Sequence, residues 1–370
     1  MASQLSSVAV SMGICLVSVL AIAFLVITLY ILGVVVSFAV FCTREFAQRA
    51  QDRPPLIGTV LRQLKNFDKL FDEQVSYALL HPTSRLVYPG HSEIFTSDPA
   101  VIEHFLKTNF SKYSKGDFNT RVMRDLFGNG IFATDGENWR HQRKLASHEF
   151  STKVLRDFSS DVFRINAAKL AEKISYAAAN RITINMQKAR EDILSRFILA
   201  SEEDPVTMND RYLRDIVLSF LIAGKDTTAN TLSWFIYMLC KNPIVQDKIA
   251  YEIKESVELA QEDNIETFTA RLKQGAIDKM QYLHATLTET LRLYPAVPVD
   301  GKMADEDDLL PNGYRVIKGD GMNYMIYAMG RMKYLWGEDA EEFRPERWLV
   351  DGIFQQESPY KFISFNVSIT

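Results

Sequence analysis

No charged side chain occurs in residues 1–43, and from Val8 to Phe41 the chain is almost wholly apolar. A bilayer takes about 20 apolar residues of helix to cross, so the central run CLVSVLAIAFLVITLYILGVVV is long enough to span one. A buried core helix and a cleaved signal peptide share this apolar character. The signal peptide is disfavoured because no basic segment precedes the run and the run is too long. Arg44, Arg49 and Arg53 follow directly, and positive charge on that flank predicts a body on the cytosolic side. Pro54-Pro55 then stiffens the exit. The expected organisation is an anchor over 1–43, a basic, proline-containing hinge over 44–58 and a folded domain over 59–370.

The 370 residues are 47% hydrophobic, enough for a large core beyond the anchor. The 42 basic against 46 acidic residues leave no basic footprint for nucleic acid. The cysteines are Cys15, Cys42 and Cys240, an odd and sparse set that fits a reducing compartment and no disulfide framework. None stands in a CxxC or Cys/His cluster, so no zinc site is expected.

Short strands are predicted at Arg85–Tyr88 and Glu93–Thr96 around a Pro89-Gly90 turn. Asp98-Pro99 marks a helix start, with Asp98 as N-cap. Residues 137–178 and 188–200 read as amphipathic helices. NDRYLRDIVLSFLIAGKDTTANTLSWFIYMLCKNP reads as one long helix, capped by Asp210 and stopped by Pro243. Ile216, Val217, Phe220, Leu221, Leu232, Phe235, Ile236 and Leu239 keep a helical period along it. QYLHATLTETLRLYP is a second helix, with Leu283, Leu287, Leu291 and Tyr294 on one face. A strand-rich stretch punctuated by Asn312-Gly313 and Gly319-Asp320-Gly321 is expected up to about Met329. The body is therefore one mainly α domain with a minor β portion.

Four short motifs interrupt this pattern. In AGKDTT, Gly224 opens a notch in the apolar face of the long helix, at a cost of about 1 kcal/mol. Thr227 can bond to a carbonyl one turn earlier and loosen the helix there. An acid beside a hydroxyl in such a notch suits small-ligand binding and proton relay; the same residues also suit a helix-packing site with Asp-Thr-Thr in solvent. ETLR spaces Glu289 and Arg292 as an i,i+3 pair, which on a surface is worth a few tenths of a kcal/mol. Arg347 in EEFRPERWL is a further guanidinium that can join them in a bidentate cluster. GENWRHQRKLASHEF puts Trp139 and Arg143 at i,i+4, a face suited to a carboxylate or phosphate, or simply a solvated basic face.

Taken in order, WxxxR, AGxDTT, ExxR and FRPERW resemble the cytochrome P-450 superfamily of haem-thiolate monooxygenases. The phrasing GIFATDGENWRHQRKLASHEFSTKVLRDFS, AGKDTTANTLSWFIYMLCKNP and MGRMKYLWGEDAEEFRPERW is most similar to the plant fatty-acid omega-hydroxylase branch. The resemblance runs from about residue 52 to Phe365. It implies a P-450-like fold, an endoplasmic-reticulum anchor, a haem cofactor, NADPH electrons through a flavoprotein reductase, and oxygen insertion into a fatty-acid C–H bond. Trp139 and Arg143 would hold a haem propionate. Asp226 and Thr227 would deliver protons, Ala223 and Gly224 would leave room for oxygen and substrate, and Val297 and Val299 would face the substrate pocket. Glu289, Arg292 and Arg347 would form the cluster that supports the haem-ligand loop.

The sequence departs from that family in two places. Phe365 resembles the first residue of FxxGxRxCxG, but NVSIT follows it, so the iron-ligand cysteine is missing and no metal ligand is assigned. Only 87 residues separate Trp139 from Thr227, which implies an internal deletion near Gln187–Lys188. The expectation is a chain of monooxygenase ancestry that lacks thiolate chemistry as written. The alternative is a non-catalytic membrane protein that keeps the scaffold for lipid or partner binding.

Overall fold

The uncharged N-terminal run forms a single helix, α1 (Ala2–Ala47), in a computed structural model that describes residues 2–47, 63, 65–88, 91–149, 160–182, 210–258 and 264–364. The helix continues past residue 43, the expected limit of the anchor, through Arg44 to Ala47. Its Val17–Val40 window has a mean hydropathy of 3.0 and none of it is buried against the rest of the chain. A core helix would be covered; this one is compatible with a membrane anchor. The expected hinge at Pro54-Pro55, the Pro89-Gly90 turn, the helix over 188–200, the Gln187–Lys188 junction and Phe365 lie outside the described residues.

After α2 (Leu70–Leu80), strands β1 (Thr83–Tyr88) and β2 (His91–Thr96) pair antiparallel, each two residues longer than expected. Alternate residues of β2 are buried, as a strand with one covered face requires. Asp98 accepts the Ala100 N–H at 2.9 Å and caps the short helix Pro99–Glu103. The chain then forms β3 (Tyr113–Ser114), α3 (Asp117–Phe127), α4 (Gly136–Glu149) and α5 (Ser160–Asn180). The long helix α6 (Asp210–Lys241) is followed at once by α7 (Pro243–Ser256), with Pro243 in the first turn of the new helix. Helix α8 (Gln281–Leu293) leads through Pro295 into β4 (Asp300–Ala304), β5 (Asp308–Leu309), β6 (Arg315–Val316) and β7 (Gly321–Tyr324).

One sheet joins the two ends of the body in the order β1-β2-β7-β4-β3. The β2–β7 pair is parallel and sets Glu93 beside Gly321; the other pairs are antiparallel. Ile94, Phe105, Met322, Tyr324, Ile326 and Ile363 form the core that seals this sheet. Asp308 closes its edge by accepting from Tyr113 and Lys112 at 2.9 and 3.0 Å, with Asn109 and His104 alongside.

Residues 137–149 and 160–178 are helical as expected, in α4 and α5, and residues 150–159 lie outside the described residues. Two expectations need correction. The strand-rich stretch ends at Tyr324, because Ile326–Met329 turns helical as the chain leaves the sheet. On α8 the buried face is not the leucine face. Leu283, Leu287 and Leu291 are half-buried, whereas Thr286, Thr288, Glu289, Thr290 and Arg292 are buried. The threonine hydroxyls donate to carbonyls one turn back, at 2.7 to 2.9 Å, so that face carries no unmet donors into the core.

Candidate functional site

Helix α4 presents Trp139 to a group of cations. Its indole lies against Phe110, with ring centroids 5.7 Å apart, and the ammonium groups of Lys115 and Lys302 stand 5.4 and 5.8 Å from it. Lys302 projects from β4 and also sits 4.4 Å from the Phe110 ring centre. Burial pushes both ammonium groups below the ordinary lysine value, and Asp135 pulls part of the way back. Lys115 is bound to Asp135 and to the Thr134 carbonyl, whereas Lys302 makes no ion pair among the described residues.

One turn along α4, the Nε of Arg143 is buried without a partner among the described residues. An orphaned buried guanidinium nitrogen is costly and marks a place where an acceptor is expected. Two ammonium groups meet a half-buried indole here beside two carboxylates, Asp135 and Asp300, and the unmet donor of Arg143 lies one turn along the same helix. The chemistry that fits is a further carboxylate or phosphate. Neither Lys115 nor Lys302 was singled out in the sequence. The only signal available was their position, Lys115 just before the Gly116 turn and Lys302 two residues into a strand, and the partners that give them meaning are far away in the chain.

The notch on α6 is open: a Cβ added at Gly224 would meet nothing within 4 Å. Thr227 is half-buried and donates its hydroxyl to the Ala223 carbonyl, which leaves the oxygen's lone pairs free to accept. Thr231 repeats the pattern one turn later, donating to the Thr227 carbonyl at 2.9 Å. Asp226 is exposed and stands 3.8 Å from Lys225. Trp234, two turns beyond the notch, stacks on Tyr294 at the end of α8, with centroids 4.0 Å apart and planes 8° from parallel. That contact brings α6 against the link in which Val297 and Val299 lie half-buried, immediately before β4 and Lys302.

Glu289, Arg292 and Arg347 meet. Arg292 holds Glu289 through Nε and Nη2 at 2.7 and 2.8 Å, and Arg347 Nε reaches it at 2.9 Å. The Arg344 N–H and the Trp348 indole N–H complete the carboxylate's shell, each at 2.9 Å. Glu289 and Arg292 are both essentially inaccessible, so this is no surface pair. The remaining guanidinium donors fasten the loop ahead of them. Arg292 donates to the carbonyls of Gly330 and Ala340, and Arg347 to those of Trp336 and Asp339. Gly330 is required by this packing, since a Cβ there would lie 2.0 Å from the Arg292 carbonyl oxygen.

Comparison with known proteins gives a consistent picture. The family described as cytochrome P-450 matches residues 167–367. Cytochrome P-450 704C1 of Pinus taeda is 40% identical, over 84% of this chain and 81% of its own length. Cytochrome P-450 704B1 of Arabidopsis thaliana is 34% identical over 87% and 85% of the two chains. Cytochrome P-450 94A1 of Vicia sativa is 31% identical over 80% and 74%.

Proposed function

The chain belongs to the cytochrome P-450 family of haem-dependent monooxygenases, and on that premise we propose that its scaffold serves hydroxylation of fatty acids at a membrane. We propose further that these 370 residues alone hold the haem's carboxylates but supply no thiolate to its iron. The observation that carries the reading is the pair of ammonium groups, Lys115 and Lys302, beside the Trp139 indole, with the unpartnered Nε of Arg143 one turn along the same helix.

Bound haem supplies the family's oxygen-activating chemistry, with NADPH electrons arriving through a flavoprotein reductase on the same membrane. In this chain, Arg143, Lys302 and Lys115 would hold the haem's carboxylates, and the Trp139 indole would add a further donor. Gly224 keeps the adjoining face of α6 clear for substrate, with Ala223 beside it. The Thr227 hydroxyl accepts a proton-bearing water while donating to Ala223, and Asp226 exchanges protons with solvent. Val297 and Val299 line the substrate side. The Glu289–Arg292–Arg347 cluster would steady the loop it fastens through the carbonyls of Gly330, Ala340, Trp336 and Asp339. A thiolate is another matter: Cys240 is exposed near the end of α6, and Cys15 and Cys42 belong to α1.

The alignment with the Pinus taeda relative runs over 418 positions while using 84% of this chain's 370 residues, so that relative has positions this chain lacks. This supports the reading of an internal deletion, which we place near Gln187–Lys188 from the sequence alone. The apolar Val17–Val40 stretch of helix α1, followed in sequence by Arg44, Arg49 and Arg53, supports a single-pass anchor in the endoplasmic reticulum with the body cytosolic.

The test is haem titration of the full chain in lipid nanodiscs, beside Lys302→Glu and Arg143→Ala. The expected result is saturable binding by the parent and a loss of roughly tenfold or more in each variant, as for removal of a charged hydrogen-bond partner. Equal binding by all three would overturn the assignment of the carboxylate cradle.

A further inference from the structure

The backbone of Asn129 is gripped from both sides. Its N–H donates to Oδ2 of Asp215 on α6 at 2.8 Å, and its carbonyl accepts from Nε2 of Gln142 on α4 at 2.7 Å. Both side chains are buried, Asp215 to 1% exposure and Gln142 to 6%. The two glycines beside Asn129 show how tightly the loop is seated. Gly128 has φ +55°, and a Cβ there would lie 2.0 Å from Asp215 Oδ2. A Cβ at Gly130 would lie 2.5 Å from Ser219 Oγ. Ser219 in turn donates to the Asp215 carbonyl at 2.8 Å, which fixes that turn of α6. The other oxygen of Asp215 receives Arg214 at 2.6 Å, but Arg214 is 58% exposed and the pair is readily replaced by water.

This loop joins the two helices of the candidate site. On α4, Gln142 stands next to Arg143 and three residues after Trp139. On α6, Asp215, Ser219, Ala223 and Asp226 recur at helical spacing along one face. At 1.5 Å per residue the Asp215 turn is about 14 Å from the notch at Gly224. A helix of that length transmits register as a stiff rod. We propose that Asp215 is a positioning residue: by holding the Asn129 N–H, it sets the register of the helix bearing Trp139 and Arg143 against the notch of the long helix. The proposal rests on the reading of those two helices as the carboxylate cradle and the substrate face.

The test uses distances between nitroxide labels in the full chain, in nanodiscs, with Cys15, Cys42 and Cys240 each replaced by Ser. Labels at Lys144→Cys and Ser233→Cys report α4 against α6. Labels at Ser233→Cys and Lys254→Cys report α6 against α7 and serve as the control. Asp215→Ala is expected to roughly double the width of the α4–α6 distribution, since packed elements move between discrete arrangements, and to leave the α6–α7 distribution as it was. Asp215→Asn keeps an oxygen for the Asn129 N–H and is expected to retain the parent distribution, as is Arg214→Ala. Gln142→Ala removes the opposite grip and is expected to broaden the same pair, which covers the case where Asp215→Ala does not fold. An unchanged α4–α6 distance in both Ala variants, equal broadening of both pairs, or an Asp215→Asn variant as broad as Asp215→Ala would each overturn the proposal. Haem titration of the same samples keeps the two readings apart: a parent that binds no haem but shows the register effect refutes the cradle and leaves the positioning role standing.

Discussion

Replacing Glu289 by Gln changes one atom pair and little volume, yet it removes the only anion at the centre of the Glu289–Arg292–Arg347 cluster. In the parent, five N–H donors converge on the two carboxylate oxygens, from Arg292 twice, Arg347, the Arg344 backbone and the Trp348 indole. An amide offers one acceptor oxygen and turns its own N–H bonds towards donors on the other side. The buried Arg292 guanidinium then loses its counter-charge, and Arg347 keeps only Asp339 at 3.4 Å. Breaking a buried pair in this way costs about 3–5 kcal/mol, against a total of about 5–15 kcal/mol for a whole domain. Urea unfolding of the detergent-solubilised chain, followed by far-ultraviolet circular dichroism, reads this as a lower midpoint at unchanged slope. A triple variant, Glu289→Leu with Arg292→Met and Arg347→Met, removes all three charges together and is expected to be less destabilised than Glu289→Gln alone. A loss below about 1 kcal/mol for Glu289→Gln, the range of an exposed pair, would refute the burial on which this reasoning depends.

Gly330→Ala forces a Cβ against the Arg292 carbonyl oxygen, where backbone cannot yield; it is expected to cost about 1–3 kcal/mol, read as a lower Tm. Burial alone would raise the Asp308 carboxyl, but hydrogen bonds from Asn109, Lys112, Tyr113 and His104 together hold it well below the usual range. Its stabilisation is therefore complete above the unfolded value of about 3.9 and is lost as pH falls through the folded value; Asp308→Asn is expected to flatten the acid limb of stability against pH. Burial holds Lys115 and Lys302 below the ordinary 10.5, and only the protonated forms attract a carboxylate. Haem affinity is expected to fall as pH rises towards that value, and Lys302→Arg to shift the fall to higher pH in titrations across a pH series. Protease added outside sealed microsomes is expected to digest the body and spare Val17–Val40; a protected body would contradict the cytosolic orientation.

Elements whose cause is local were legible in the sequence. The apolar run, the Asp98 cap, the β1–β2 pair and the long helix each follow from neighbours a few residues apart. Polarity misled where burial is arranged at long range. The Thr-Glu-Thr-Leu-Arg segment of α8 reads as an outer face because nothing nearby shows that its threonines satisfy themselves on their own helix. Nor does the segment show that Arg344, Arg347 and Trp348 arrive more than fifty residues later to enclose Glu289. Lys115 and Lys302 escaped for the same reason. A lone lysine carries no sequence signal, and only the β3–β4 pairing, which sets Ser114 opposite Met303, brings the two to one ring. Asp215 carries no signal of its own within the long helix; the Gly128 and Gly130 that expose a backbone N–H to it lie in another segment.

The most direct test of the central claim is the absorption spectrum of the full chain, loaded with haem in nanodiscs, reduced and exposed to carbon monoxide. The account predicts a haem spectrum that depends on Lys302 and Arg143 but has no thiolate-type Soret band. A thiolate-type band from these 370 residues would mean that a cysteine reaches the iron, and would contradict the account.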